Sequence, residues 1–350
     1  MTERLTIVHV IFSRGFAGTE RSTAESCNTQ CEDHDITLIC STRHRRKSGA
    51  SILDHIDSRV KVVQISPFFF LRRRVQRLLN AIQPDIVHAH LRKPTRILAS
   101  CHTQAAKIST LHIGVNGPQF LAMDGLIAIS PWQLAHVPTD YRGEVQWIRN
   151  SLSPHTQPAA EKIATLRHEL GADDTTFLIG GIGRQSHSKG WDTLIKAFAL
   201  AKLPNSRVIL IGEGREHDAL VQLARALNIG FFGFKKDVKD YYAALDLFVC
   251  PSRNEPMGRV ILEAMDAGTP VIAADVEGPR DILAEYPGTL FPVDDVERLA
   301  QALKEAHAAR ENSGRRQRPD LSPHYVSNTS AQMLAFYQRC QQGRKVHSDA

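Results

Sequence analysis

No stretch of the 350-residue sequence reaches the ~18 consecutive apolar residues that a membrane-spanning helix requires, so any membrane contact is expected to be peripheral. The first apolar run, LTIVHVIF at 5–12, is too short to span a bilayer and lacks a small-residue cleavage site; it reads as a buried strand, not a signal peptide. Cysteine is sparse, and Cys27, Cys31, Cys40, Cys101, Cys250 and Cys340 contain no CxxC pair. A chain of this length needs no disulfide framework, and a reducing, cytosolic setting is expected. No self-similarity with a period of roughly 20–50 residues and no low-complexity tract is present, which excludes a solenoid or array.

What is present is ordinary in bulk: 42% apolar and 23% charged residues describe a soluble globular chain, not a disordered or collagen-like one. Its length exceeds the ceiling for one hydrophobic core and predicts two domains of roughly 150 residues. The net charge of +6 is unevenly placed. Residues 1–150 hold 19 Lys+Arg against 12 Asp+Glu, whereas residues 151–350 hold 24 against 25. A basic first half beside a neutral second half points to an anionic partner for the first: a lipid surface, a phosphorylated acceptor or nucleic acid.

Short β-rich runs alternate with amphipathic stretches. LTIVHVIF is followed by ITLIC (36–40), VKVVQI (60–65), DIVHAH (85–90) and DGLIAIS (124–130). The rhythm restarts after SLSPHTQP (151–158) with FLIGGIG (177–183), RVILIGEG (207–214), IGFFGF (229–234), DLFVCPS (246–252) and TPVIAA (269–274). Strand alternating with helix means a parallel sheet covered on both faces, so the prediction is α/β with two doubly wound domains, 1–155 and 156–323. The last segment, 324–350, carries the apolar-periodic AQMLAFYQRC (331–340) and is expected to be a helix docking back onto the body. Before it, residues 311–323 are polar and basic.

Ligands of such domains gather at the carboxyl ends of the strands, and two domains in tandem are expected to face a central cleft. A dinucleotide fingerprint is missing: Gly181-Ile-Gly183 is followed by Ser186, and Gly212-Glu-Gly214 by His217, where a third glycine belongs. After FLIGGIG, however, come Arg184 and Lys189 at a strand end just before the helical run WDTLIKAFA, a place that suits a diphosphate. Taken alone these are ordinary loop cations. After DLFVC, the segment PSRNEPMGRVILEAMDAGTPVIA puts Glu255 in a loop and Glu263, eight positions on, inside a helix. The N–H groups of Gly258, Arg259 and Val260 at that helix start can cradle phosphate. Glu263 lies a turn further on, among Ile261, Leu262, Ala264 and Met265, so its carboxylate needs a partner.

These residues resemble the retaining glycosyltransferases of family 4, which have the GT-B architecture of two Rossmann-like doubly wound domains. The E-x7-E frame reads PSRNEPMGRVILEAMDAGTPVI, and the likeness extends over nearly the whole chain through GIGR…SKGWDTLIKAF, IGEG, GFKKDV…YYAALDLFV, PDIVHAH, AISPW and IRNSLSP. The resemblance implies that Arg184 and Lys189 neutralise the donor diphosphate and that Glu263 binds the ribose. Glu255, with Met257 and Gly258, would contact sugar and phosphates. The base would rest against Gly212-Glu213 and the segment Phe232, Gly233, Phe234. In the first domain GFAGTE (15–20) stands for the family's glycine-rich turn, with Ala17-Gly18 where adjacent glycines are usual, leaving Gly18 and Thr19 to face the donor.

His88 and His90 at the end of DIVHAH are taken to point to opposite faces, which would keep them from sharing a metal, with His90 meeting the donor sugar and His88 packed. His112, after the strand-like ISTL, resembles a further cleft histidine, and Asn150 a residue closing the inter-domain turn. No metal or other cofactor is implied: the sole Asp-x-Asp, Asp33-His-Asp35, precedes ITLIC on the wrong end of its strand, and fixed cations and helix N–H groups supply the charge.

The acceptor side is read from SPFFFLRRRVQRLLNAI (66–82). Leu71, Val75, Leu78, Leu79 and Ile82 form a helical stripe, leaving Phe68–Phe70, Arg72, Arg73, Arg74, Arg77 and the basic run 43–47 for an anionic interface. Nucleic acid is the poorer partner, since no nucleic-acid fold signature accompanies the charge. The expectation is a metal-independent hexosyltransferase at the inner face of the cytoplasmic membrane. It would use a UDP- or GDP-sugar and act on lipopolysaccharide core or another lipid-linked saccharide. A soluble acceptor, a GT-B sugar-nucleotide epimerase and a non-catalytic nucleotide- or glycan-binding protein are the alternatives.

Overall fold

The computed structural model describes residues 4–46, 49–310 and 318–348. Lys47 of the first basic run and residues 311–317 of the polar segment lie outside them. The chain divides into two units, one of residues 1–153 with 322–350 and one of residues 154–321.

The first unit runs β1 (Thr6–Ile11), α1 (Gly18–Gln30), β2 (Asp35–Ser41), β3 (Lys61–Ile65), α2 (Leu71–Ile82), β4 (Ile86–His90), α3 (Arg92–Ala99), β5 (Ala106–Leu111), β6 (Gly125–Ala128) and β7 (Glu144–Trp147). The second holds α4 (Ala160–Glu169), β8 (Phe177–Ile182), α5 (Trp191–Ala201), β9 (Ser206–Ile211), α6 (His217–Leu223), β10 (Ile229–Phe231), α7 (Lys239–Ala244), β11 (Leu247–Cys250), α8 (Arg259–Asp266), β12 (Val271–Ala274), α9 (Glu277–Glu285), β13 (Thr289–Phe291) and α10 (Val296–Ala309). The chain then returns to the first unit as α11 (Val326–Ser348).

Both sheets are parallel. The first has the order β3-β2-β1-β4-β5-β6-β7 and the second β10-β9-β8-β11-β12-β13. In each, the order reverses between two central strands, β1 and β4 or β8 and β11. The loops leaving their carboxyl ends flank the crevice where doubly wound sheets bind ligands. Central strands such as β1 (TIVHVI) are β-branched and buried almost throughout, as helices on both faces require. In α2, Val75 and Leu79 are buried and Leu71, Leu78 and Ile82 pack against the same core, so the stripe lies on the sheet as its spacing predicts. Gly268 and Pro270 follow α8 and separate it from β12. All six cysteines are free and buried.

In α11, Phe336, Tyr337 and Cys340 are buried in the first unit's core beside Cys27, Cys31 and Ile108. Arg344 extends this docking with an ion pair to Asp124 at 2.5 Å. Strands β7 and β13 were not evident from the sequence. Both are edge strands, EVQW and TLF, largely uncovered on one side, so they lack the apolar run that marks β1 or β9.

Candidate active site

In the second unit the loops leaving β8 and β11 bring together what the sequence analysis singled out. The peptide after β8 makes a short turn over His187–Lys189, closed by the Lys189 N–H on the Ser186 carbonyl at 2.8 Å. Buried Trp191 anchors that turn by donating from its indole N–H to the Arg184 carbonyl at 3.0 Å, which leaves the Arg184 side chain on the exposed face of the loop. Lys189 reaches across to the other loop, and its ammonium pairs with Glu255 Oε2. Burial pulls the ammonium down, but the adjacent carboxylate outweighs it, so Lys189 holds its proton above the usual lysine range.

The other oxygen of Glu255 accepts from the Gly258 N–H at 3.3 Å, which ties the carboxylate to the start of α8. Val260, in the first turn of α8, is half-buried. Met257 is buried, and the Arg259 side chain turns inward to pair with Glu263 at 3.0 Å. Glu263 has the partners its apolar surroundings demand: Arg259 Nε on one oxygen and the Tyr242 hydroxyl, at 3.0 Å, on the other. Cys250 ends β11 close to the Lys189–Glu255 pair, and burial pushes its thiol up to about 11, so at neutral pH it is a protonated wall, not a nucleophile.

The segments assigned to the base meet as well. Gly212 donates its N–H to the Gly233 carbonyl at 2.7 Å, and the Phe234 N–H lies 3.4 Å from the Glu213 carboxylate. Phe232 and Phe234 are half-buried there and Glu213 is exposed.

Two positioning features were missed. Gln185, fully buried, donates its amide to the Gly212 carbonyl at 2.8 Å and contacts His217, locking the first loop to the IGEG turn. Arg253 pairs with Asp192 and Asp294, both at 2.8–2.9 Å, and its N–H bonds the Ser188 carbonyl at 2.9 Å, joining the loops that carry Lys189 and Glu255. A lone arginine in PSRNEP gives no sign of partners that lie about 60 residues before it and 41 residues after it.

In the first unit, Gly18 is exposed and Thr19 half-buried at the start of α1, where Glu20 caps the Ala17 N–H at 3.0 Å. The reading of His88 and His90 as facing opposite ways is corrected. Residues two apart on a strand share a face, and their ring centroids are 4.2 Å apart. His9, on neighbouring β1, joins them, and the ligand nitrogens of the three lie within 4.8 Å of one another. His90 is also corrected as the group meeting a sugar: it is 2% exposed, with Nε2 on His9 at 3.0 Å and Nδ1 on His112 at 3.3 Å. His112 is the half-buried member. Asn150 is buried in this unit.

Burial holds His9 and His112 down to about 4, and His88 and His90 well below their usual range. All four therefore fold as neutral imidazoles. Below pH 6.5 the unfolded chain binds protons that the folded one refuses, so stability is full above that pH and falls as pH drops toward 4. His9 alone accounts for about 3 kcal/mol at the low end. Urea denaturation followed through the first unit should show a steep decline between pH 6.5 and 4.5; a flat profile would mean the cluster is charged or hydrated.

Two doubly wound parallel-sheet units in tandem, with cations and a carboxylate on the loops at the second unit's strand reversal, have the GT-B architecture. Residues 162–318 match the family described as "Glycosyl transferases group 1", and residues 23–133 match "Glycosyl transferase 4-like". The chain belongs to the group 1 glycosyltransferases. It is 27% identical over 275 residues, 75% of this chain and 76% of the relative, to the lipopolysaccharide core biosynthesis glycosyltransferase LpsD of Rhizobium meliloti (strain 1021). Its fold is similar to a glycosyltransferase from Rickettsia africae ESF-5, with TM-score 0.77, 18% identity, and 97% and 99% of the two chains covered. It is also similar to Anabaena HepE in complex with UDP-glucose, with TM-score 0.75, 22% identity, and 98% and 100% covered.

Proposed function

We propose that the protein transfers a hexose, with retention of configuration, from a UDP- or GDP-linked sugar to a surface glycan, either lipopolysaccharide core or another lipid-linked saccharide. The observation that carries this reading is the Lys189–Glu255 pair held against the start of α8, with Arg184 on the same loop as the lysine. A nucleoside diphosphate arriving there competes with the carboxylate for the ammonium. Lys189, Arg184 and the first N–H groups of α8 then oppose the charge that grows on the departing diphosphate, while Glu255 is released to accept from sugar hydroxyls. Glu263, already oriented by Arg259 and Tyr242, is the ribose-binding carboxylate in this reading. The charge is met by fixed protein groups, so transfer needs no divalent cation. LpsD, named for lipopolysaccharide core biosynthesis, supports the acceptor, and HepE with UDP-glucose supports the donor class.

The test is release of nucleoside diphosphate from a panel of UDP-, GDP-, ADP- and TDP-sugars in the presence of chelator, with and without a crude lipid-glycan extract. Release from one donor that rises with extract is expected. Loss of all release with chelator would overturn metal independence, and an epimerised free sugar formed without acceptor would overturn transfer.

The same reading puts the protein on the inner face of the cytoplasmic membrane as a peripheral protein. No helix among the described residues is long and apolar enough to cross a membrane. At the start of α2, however, Phe69 is 84% and Phe70 67% exposed, with Arg43 stacked over Phe68 and Arg73 over Phe70. Aromatic rings ringed by arginines suit an anionic headgroup layer. Vesicles containing phosphatidylglycerol should retain the protein at low salt and release it at high salt, and Phe69→Glu should reduce flotation severalfold. Wild-type protein that stays with neither anionic nor neutral vesicles would dismiss the membrane contact.

A further inference from the structure

The excess of lysine and arginine in the first half of the chain has a definite place in the fold. Every strand of the first sheet runs the same way, so the strand starts lie along one edge and the strand ends along the other. Acids stand at the starts, each with a partner. Asp35 pairs with Arg4 at 2.8 Å, Asp57 with Arg59 at 2.9 Å and Asp124 with Arg344 at 2.5 Å, while Asp85 accepts from the Thr6 N–H at 2.8 Å. Cations crowd the opposite edge, on the loops leaving β1 and β2 and on the first turn of α3. Arg14, Arg43, Arg46 and Lys93 are exposed there, and among the described residues none of them pairs with an acid. The nearby carboxylates are already engaged, Glu20 by the Ala17 N–H at 3.0 Å and Asp54 by Arg45 at 2.7 Å.

The four cations are linked in one circuit. Arg46 Nε donates to the Arg14 carbonyl at 3.1 Å, and its side chain lies so close over Gly15, at φ +93°, that an added Cβ would meet Nε at 2.5 Å. The Gly15 N–H bonds the His44 carbonyl at 2.7 Å, which ties the loop after β1 to the loop after β2. The Lys93 ammonium donates to the Pro67 carbonyl at 3.2 Å, beside Phe68, over whose ring Arg43 sits at 4.4 Å. The same ammonium is 5.9 Å from the ring of Phe12, just past β1. Backbone carbonyls thus hold Arg46 and Lys93 in place. Unpaired cations brought this close repel one another, and an anion relieves that repulsion. A lipid surface reads charge without asking for fixed geometry, whereas a guanidinium and an ammonium fixed beside aromatic rings suit a discrete anion with an apolar face.

We propose that the carboxyl edge of the first sheet, around Arg14, Arg43, Arg46 and Lys93, binds an anionic sugar, one bearing phosphate or carboxylate, whose ring packs on Phe12 or Phe68. The cations meet the charge, and the aromatic faces meet the C–H side of the pyranose. That this sugar is part of the glycan acceptor rests on the transferase reading above; that the site exists does not.

The experiment is titration calorimetry of the full-length protein at low salt with four probes: glucose 1,6-bisphosphate, tetragalacturonate, inorganic phosphate and the neutral maltotetraose. One or both anionic saccharides should bind, more tightly than inorganic phosphate, and weaken as salt is raised, while maltotetraose should not bind. The double variant Arg46→Gln, Lys93→Gln should weaken that binding at least about tenfold, and Lys189→Ala should leave it unchanged. Both altered side chains are exposed, and a thermal melt checks that the variant folds. Loss with Lys189→Ala in place of the double variant would put the anion in the second unit and overturn the proposal. So would equal binding of maltotetraose, or inorganic phosphate bound as tightly as the saccharides. Retention of the protein by phosphatidylglycerol vesicles with neither saccharide bound would make the patch a lipid contact and overturn it as well.

For the acceptor half, the double variant should raise the KM for the lipid-glycan extract about tenfold while the Kd for free nucleoside diphosphate stays the same. An unchanged KM beside weakened saccharide binding would overturn it. Failure of the transferase reading itself shows separately, as no turnover of any donor by wild type that still binds the anionic saccharide.

Discussion

Lys189→Ala is expected to lower donor turnover by at least about a hundredfold, more than the loss of one charged contact would give. The reason lies in its partner. The carboxylate of Glu255, 13% exposed, is paired with the ammonium and bonded to the Gly258 N–H. Without the lysine it stands as an uncompensated negative charge where a diphosphate must bind, so the variant both removes an attraction and adds a repulsion. Glu255→Ala has the opposite sign at the binding step, because the ammonium is then released to the diphosphate. Affinity for free nucleoside diphosphate should hold or rise while kcat drops about a hundredfold. Calorimetric Kd for UDP or GDP, set against kcat for the two variants, distinguishes this coupled arrangement from two independent contacts. Wild-type turnover in both would remove the site assignment. Thermal melts accompany the kinetics, since stripping one partner from a largely buried pair costs stability too.

The parts of this site that could be read in advance are those whose chemistry is local in sequence. Lys189 and Arg184 follow a glycine-bearing strand, and Glu255 and Glu263 straddle a helix start; the two cations alone read as ordinary loop residues, and it was the E-x7-E frame with its family resemblance that singled them out. What stayed hidden was long-range. Gln185 serves the site through Gly212 and His217, and Arg253 through Asp192 and Asp294, partners that only the crossover connections of the second sheet bring near. The histidine cluster is the clearest case: His9 and His90 are 81 residues apart and meet because β1 and β4 are neighbours across the strand reversal, with His9 in register with His88. A histidine inside TIVHVI looks like a packed core residue. The one available clue, that His88 and His90 are two apart on a strand, was read with the wrong parity.

The second large effect is expected at a residue that contacts no ligand. Gly190 ends the turn that carries Lys189, with φ at +64°, and an added Cβ would lie 1.9 Å from the Pro251 carbonyl oxygen. Real Cβ atoms do not approach within 3.0 Å, and the obstacle is backbone at the exit of β11. Gly190→Ala must therefore push apart the loop bearing Lys189 and the loop bearing Glu255, at a point only one residue from the lysine. The left-handed conformation alone costs alanine about 1 kcal/mol, and the displaced backbone should bring the total to about 4 kcal/mol or more. Turnover should fall about a hundredfold even in whatever fraction stays folded, because Lys189 no longer meets its partner. Gly233→Ala separates the two causes: its φ is +59°, but nothing lies within 4 Å of the added Cβ, so it bears the conformational cost alone. Urea denaturation should place the two variants several kcal/mol apart. Equal destabilisation would show that the loops leaving β8 and β11 can part freely, and a lysine held by so loose a contact could not be the fixed charge on which the proposed transfer depends.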